Sequence, residues 1–384
     1  MQINFHLNRR SDGRILPFQA DAAMRPAIKY PEVIYMEKRI LDFRSDTVTK
    51  PTKAMYKAMV ESPLGDDVLG DDPTVQKLEA MASEIFDKEA AMYVPSGSMG
   101  NLISVGVQAN RGDEVIMEAM SHTYNFEVAG TSAIWGIQAR PILGIRGAMD
   151  PSEVRAAVRP ESSHMPRTGL ICVENTHNFH GGSVIPLENI RAIGKIAREN
   201  GVKFHIDGAR IFNASVASGV DVKEYAACAD TVQFCLSKGL SSPVGSVVVG
   251  TAEFMKKARR IRKMIGGTLR QAGVLCGCGI VSLTEMVGRL KEDHANAKKL
   301  AKGLAEIKGV RINPADVETN IVVFTLEDNY PNHAAVIEQM KTKGLLLVTM
   351  AGVKLRMVTH KDVNSADVDA ALEILAKELP ALRK

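Results

Sequence analysis

Short apolar runs alternate with longer helical patterns through the middle of this chain, and the alternation narrows the possible folds more than any other feature. The runs are Ala90–Val94, Glu114–Glu118, Gly169–Asn175, Lys203–Asp207, Thr231–Leu236 and Ser246–Gly250. Most carry little polar alternation, as suits strands covered on both faces. Between them the spacing predicts helices from the PSGSMGN stretch to Gln108 and over Pro186–Asn200, Ile211–Ser218 and Val222–Ala227. An α/β fold follows, with a mostly parallel sheet and helices on both faces. Loops past the carboxyl ends of such strands open on one crevice, the usual place for a ligand.

The residues at those strand ends are chemically pointed. The run VQFCLSKG, Val232–Gly239, closes on Lys238 and a glycine. An amine there can condense with an aldehyde in the crevice. Taken alone, Lys238 reads as readily as a side chain that snorkels to solvent. KFHIDGAR, Lys203–Arg210, ends its strand in Asp207, which a helix N-cap would also explain. Together the two suit pyridoxal phosphate. That cofactor needs a lysine for its aldehyde and a carboxylate against its pyridine nitrogen, because a protonated ring withdraws electrons from the substrate Cα. The strand, glycine turn and helix start at PSGSMGN make an anion site, so Gly97 and Ser98 are candidates for the phosphate. No Gly-Lys-Ser/Thr follows, which argues against a nucleoside triphosphate.

Six blocks in order carry a resemblance over about residues 40 to 384: DFRSDTVTKPT (Asp42–Thr52), GDDVLGDDPTV (Gly65–Val75), ENTHN (Glu174–Asn178), HIDGARIFNA (His205–Ala214), CLSKGL (Cys235–Leu240) and RKMIGGTLRQAG (Arg262–Gly273). The chain resembles the threonine aldolases, within the aspartate-aminotransferase-like class of pyridoxal phosphate enzymes. The resemblance implies fold type I, with a large domain over 41–285 built on a mostly parallel seven-stranded sheet and a small α+β domain over 286–384. It also implies a homo-oligomer, dimer or tetramer. His122 would stack on the pyridine ring and His177 would lie near the substrate β-hydroxyl. Ser45, Arg210 and Arg356 would hold the substrate carboxylate, and Arg270 the phosphate, from the same subunit or across a boundary. Two positions depart from the family: Leu69 stands where tyrosine is common, and Ser98 where threonine is usual.

The activity so implied is retro-aldol cleavage of threonine, allo-threonine or a related β-hydroxy-α-amino acid to glycine and an aldehyde. His122, His177 or a water they position would take the hydroxyl proton. β-Elimination or transamination would use nearly the same lysine, aspartate and phosphate loop, since the Cα bond aligned with the ring decides the reaction. A catalytically silent relative is a further alternative, against which the joint presence of Lys238, Asp207 and three arginines argues.

At 384 residues the chain is long for one domain and suits two packed units. A net charge of +4 with no basic run interleaved with aromatics gives no support to nucleic acid as a partner. KKARRIRK, Lys256–Lys263, reads as the solvated face of a helix or a patch for an anionic ligand. The five cysteines form no CxxC pair, which points to a reducing compartment and a cytoplasmic location. There is no HExxH, and His177 with His180 is the nearest pair, so no metal is expected. No apolar run reaches the roughly 18 residues of a membrane span, and no secretory signal is visible.

Residues 1–40 lack sustained periodicity and read as a flexible extension. An arm then leads into a helix from Pro51 or Thr52 to Val60, and the acidic loop caps a second over Thr74–Phe86. Downstream the spacing predicts a long helix from Met286 to Leu304, strands at Ile321–Thr325, Leu345–Thr349 and Lys354–Val358, and helices over Asn332–Lys343 and Ser365–Leu379 that Pro380 ends.

Overall fold

Seven strands form the central sheet of the computed structural model, which describes residues 39–350, 352 and 354–383. The expected extension, up to residue 38, lies outside the described residues. The strands are β1 Ala90–Val94, β2 Glu114–Glu118, β3 Gln138–Ile142, β4 Thr168–Glu174, β5 Lys203–Asp207, β6 Thr231–Cys235 and β7 Ser246–Gly250. Their spatial order is β1-β7-β6-β5-β4-β2-β3. Only β7 runs against its neighbours; it pairs antiparallel with both β1 and β6. The sheet is therefore mostly parallel, as the alternation predicts.

Six of the seven strands are the expected runs, within a residue or two. The seventh, β3, reads QARPI and lies at an edge, half exposed. Proline offers no N–H to a ladder and is tolerated there. Its polar, proline-bearing sequence lacks a strand signal for the same reason.

Helices cover both faces. On one, Phe86, Phe212 and Phe234 pack together, with the Phe86 and Phe234 rings stacked at 4.8 Å. On the other, helix Gly97–Gln108 lies tight against the sheet. A Cβ at Gly97 would come within 2.8 Å of Cys235 Sγ, and one at Gly100 within 2.6 Å of Gln233 Cγ, so this approach needs glycine. Helix Ala252–Met264 packs beside it and carries the basic run. The run is not wholly solvated: Arg262 points inward, pairs with Asp67 at 3.0 Å and donates to the Tyr93 carbonyl at 2.7 Å.

The second sheet is antiparallel and has its own apolar core around Leu300, Phe324, Leu355 and Leu375. Its strands are Val310–Arg311, Ile321–Leu326, Val348–Met350 and Lys354–Val358. The expected strand Leu345–Thr349 is two strands, because Leu345–Leu346 turns away to pair in parallel with Leu41–Asp42. The arm that the expected boundaries put with the large unit thus begins on the small one, with Leu41 and Phe43 in its core. The long helix starts at Leu290 rather than Met286, after a 68° bend. Pro380 sits inside the last turn of helix Ser365–Ala381, where few backbone bonds remain to be lost. From Arg39 onward the chain forms one unit. No single helix among the described residues is long and apolar enough to cross a membrane. The five cysteines are free and buried.

Candidate active site

Strands β1, β2, β4, β5 and β6 run the same way, so their carboxyl ends share one edge of the sheet. At that edge lies a cavity of about 290 Å³ lined by Gly97, Ser98, His122, Asp207 and Lys238 among others. Five of the sequence candidates therefore meet there. Ser96 caps helix Gly97–Gln108 by accepting from the Met99 N–H at 3.3 Å, which leaves the first-turn N–H groups of an anion site. Asp207 ends β5 with both oxygens held, one by the Ala209 N–H at 3.1 Å and one by Asn101 Nδ2 at 2.9 Å. Lys238 follows β6 by three residues, and its carbonyl accepts from Thr49 Oγ1 at 3.1 Å and from the Ser241 N–H at 2.8 Å.

The two candidate histidines part company. His122 follows β2, opens on the cavity, and its Nδ1 meets Glu127 Oε1 at 3.0 Å. Burial opposes its charge, but the hydrogen bond it donates to Glu127 and the fields of Asp207 and Glu174 win and raise its pKa. His177 follows β4 and is fully buried, with Nε2 against Glu118 Oε2 at 2.8 Å and Nδ1 without a partner. Burial works against its charge too, and the nearby Glu174 and Glu118 outweigh it. Glu118 is itself pulled down to about 2, since His177 and His180 overcome the cost of burial. The fold gathers ligand atoms of Glu118, His177 and His180 within 4.8 Å of one another, a grouping that no local motif announces.

A second cluster surrounds Asp46, a residue the sequence did not single out. Arg210 grips it with two bonds of 2.7 Å, and Asn320 adds a third at 3.1 Å. Burial would neutralise Asp46, but Arg210 and Lys238 hold its carboxyl well below the usual range. Arg210, expected to clamp a substrate carboxylate, is thus largely engaged within the protein; its Nη1 is 3.4 Å from Asn178 Oδ1. Ser45 is the N-cap of the turn Asp46–Val48, with Oγ accepting from the Thr47 N–H at 3.3 Å. Arg356 differs. Burial, aided by repulsion from Arg210, brings its pKa down to about 10, and its Nε has no partner. The residue as a whole is part-buried, and it does not line the cavity.

Arg270 is not brought to the cavity. It lies between helices Ala252–Met264 and Gly273–Val281, 62% exposed, and pairs with Asp66 at 3.1 Å. Within one chain, the phosphate role that the resemblance implies for it is not met. Other residues of the site were missed. Asn101 lies one helical turn beyond Gly97, a buried polar residue in an apolar helix, and that mismatch was the available signal. Glu127, five residues past His122, had no such mark.

Each end of pyridoxal phosphate finds its counterpart here. Lys238 suits the aldehyde, Asp207 the ring nitrogen and the helix start the phosphate, while the absent Cβ of Gly97 leaves the room. Gln233, which lines the cavity, has a buried Oε1 without a hydrogen-bond partner. The protein is a pyridoxal phosphate enzyme of fold type I. Residues 42–327 match the family model described as beta-eliminating lyase. The probable low-specificity L-threonine aldolase 2 of Arabidopsis thaliana is 46% identical over 345 residues, covering 88% of this chain and 97% of that protein. The low specificity L-threonine aldolase of Escherichia coli K12 is 42% identical, covering 85% and 95%. The chain belongs to the threonine aldolases, within the beta-eliminating lyase family, and is a carbon–carbon lyase. Solved structures share the fold at lower identity: the threonine aldolase of Leishmania major gives a TM-score of 0.75 at 18% identity, covering 88% of this chain and 99% of that one. A serine palmitoyltransferase of Sphingomonas wittichii gives 0.68 at 17%, covering 89% and 85%.

Proposed function

We propose that the protein cleaves L-threonine and L-allo-threonine, with related β-hydroxy-α-amino acids, to glycine and an aldehyde by breaking the Cα–Cβ bond. The observation that carries this reading is His122, backed by Glu127, in the same cavity as Lys238 and Asp207. The bound cofactor supplies an electron sink for the pair left on Cα when that bond breaks. Lys238 would hold its aldehyde carbon, Asp207 its ring nitrogen, and the N–H groups of Gly97 and Ser98 its phosphate. Arg210 and Ser45 gather around Asp46, with Arg210 Nε and Nη2 on its carboxylate, Nη1 facing Asn178 and the Ser45 hydroxyl 3.4 Å from that carboxylate. Arg356 takes the substrate carboxylate. That grip sets the rotation about Cα and so decides which bond is aligned for cleavage.

Glu127 accepts from His122 Nδ1, which leaves the Nε2 lone pair to take the β-hydroxyl proton. The charge then formed on the imidazole is stabilised by Glu127. His177 is sealed from the cavity and is assigned a structural part. A homo-oligomer with an even number of subunits is also proposed. It is supported by the exposure of Tyr56, Val60, Leu64 and Leu69 and by the outward position of Arg270; sedimentation would measure it.

The test of function is incubation of the cofactor-loaded protein with each threonine diastereomer. Acetaldehyde and glycine are expected. Ammonia and 2-oxobutyrate would reassign the enzyme to β-elimination.

A further inference from the structure

Behind the cavity runs a chain of hydrogen bonds that the cleavage chemistry does not by itself call for. Gln108 Nε2 donates to Thr231 Oγ1 at 2.9 Å, and the Thr231 hydroxyl donates to His205 Nδ1 at 2.8 Å. Burial pushes the His205 pKa down to about 4, so the ring is neutral and its one proton sits on Nε2, 3.1 Å from Asn101 Oδ1. With its oxygen so committed, Asn101 turns its amide nitrogen to the cavity. There it donates to Asp207 Oδ2 at 2.9 Å and to Glu127 Oε1 at 2.8 Å. Both amide hydrogens are used. Every donor points the same way, so the amide cannot flip without breaking the link to His205. Asn101 and His205 are 2% and 1% exposed, which makes any broken link costly.

We infer that Asn101 is a positioning residue that keeps two neighbouring carboxylates charged, Asp207 for the cofactor ring nitrogen and Glu127 for His122. Carboxylates crowded into one buried site repel, and one of them takes up a proton unless donors intervene. Asn101 supplies one donor to each. The Ala209 N–H and, at 3.4 Å, the Thr123 hydroxyl add to Asp207, and His122 adds a second to Glu127. Without Asn101 the pair shares a proton and Asp207 loses its hold on the ring nitrogen. His205, Thr231 and Gln108 act one step further back, by orienting the amide.

The inference rests on pyridoxal phosphate occupying this cavity. Apoprotein is titrated with pyridoxal phosphate, and binding is followed by the visible absorbance of the cofactor. Asn101→Ala is expected to weaken binding about tenfold or more, the worth of one lost bond to a charged group. Adding Glu127→Gln is expected to bring affinity back to within about threefold of Glu127→Gln alone, because a neutral amide no longer crowds Asp207. A merely structural asparagine gives no such recovery. An Asn101→Ala affinity within about twofold of wild type, or a double variant as weak as the single one, overturns the inference. If Asn101→Ala does not fold, Asn101→Ser, whose hydroxyl serves only one carboxylate, replaces it with the same expected recovery and the same overturning results. Wild-type protein that binds no cofactor would instead sink the cofactor assignment, and this inference with it.

Discussion

Two histidine–carboxylate pairs stand at the same edge of the sheet, alike in chemistry and unlike in access. His122 and Glu127 are 35% and 6% exposed and face the cavity, whereas His177 and Glu118 are at 0% and 1%. Glu118 is also tied to the backbone, accepting from the N–H of Met120 at 2.6 Å and of Gly144 at 3.2 Å. It thereby fastens the hairpin of Gly144–Ile145 and Ala148–Met149 over the end of β2. Gly147 closes that hairpin on His177 so tightly that a Cβ there would lie 2.4 Å from the ring. One pair has an open side for a substrate and the other has none. An imidazole beside a carboxylate is therefore not yet a base; it becomes one where the far nitrogen can meet a substrate.

The largest effect sets the floor for this comparison. Lys238→Ala is expected to cut acetaldehyde release by about 10⁴-fold or more while both pairs remain intact. Next, His122→Phe should lower kcat by about 10²–10⁴-fold. Its urea unfolding free energy should change by no more than about 1 kcal/mol, as the pair is part exposed. His177→Asn, if it folds with an equal loss of kcat and no loss of stability, would break the contrast.

Third, Glu118→Gln should cost about 3–5 kcal/mol in urea unfolding, because it leaves buried partners unpaired. The sign with pH follows from its lowered pKa. The Glu118 contribution is fully present above its ordinary 4.5 and fades as pH falls toward about 2. The variant should therefore lose stability less steeply over that window than the wild type. Glu127 contributes nothing of this kind, since burial, with the charge of Asp207 added, holds it above the usual carboxylate range despite His122.

The smallest effect is a shift of midpoint. Glu127→Gln removes the main group that raises the pKa of His122, so the acidic midpoint of kcat/KM should move down. In the wild type the raised His122 pKa contributes stability that is full below its ordinary 6.5 and is lost as pH rises through the folded-state value. A midpoint that does not move would mean that His122 is not the group titrating in that limb.

Much of the fold was legible because strand and helix patterns are local. Apolar runs without polar alternation marked the buried strands, and the edge strand β3 escaped because an edge need not be apolar. Ser98, His122, His177, Asp207 and Lys238 were placed at one crevice because they stand at or just past strand ends, where a parallel sheet converges; all but His177 line the cavity. Arg270 was legible only by resemblance, and within one chain it faces outward. Asp46, Glu118 and Glu127 were silent in the sequence, as each takes its meaning from a partner, and Asn101 showed only as a polar residue in an apolar helix.

An α/β sheet with a lysine, an aspartate and a helix start at its working edge, and a family to match, can be read from the order of residues alone. Tertiary packing is what turns His122 rather than His177 toward the cavity, leaves Arg356 Nε without a partner and sets the Asn101 amide against both Asp207 and Glu127. The bonds that settle those matters join residues far apart in the chain: 59 positions for His177 and Glu118, 104 for His205 and Asn101, 164 for Arg210 and Asp46. Local periodicity records which face of an element is apolar. It carries no record of which polar group from elsewhere will be packed against that element.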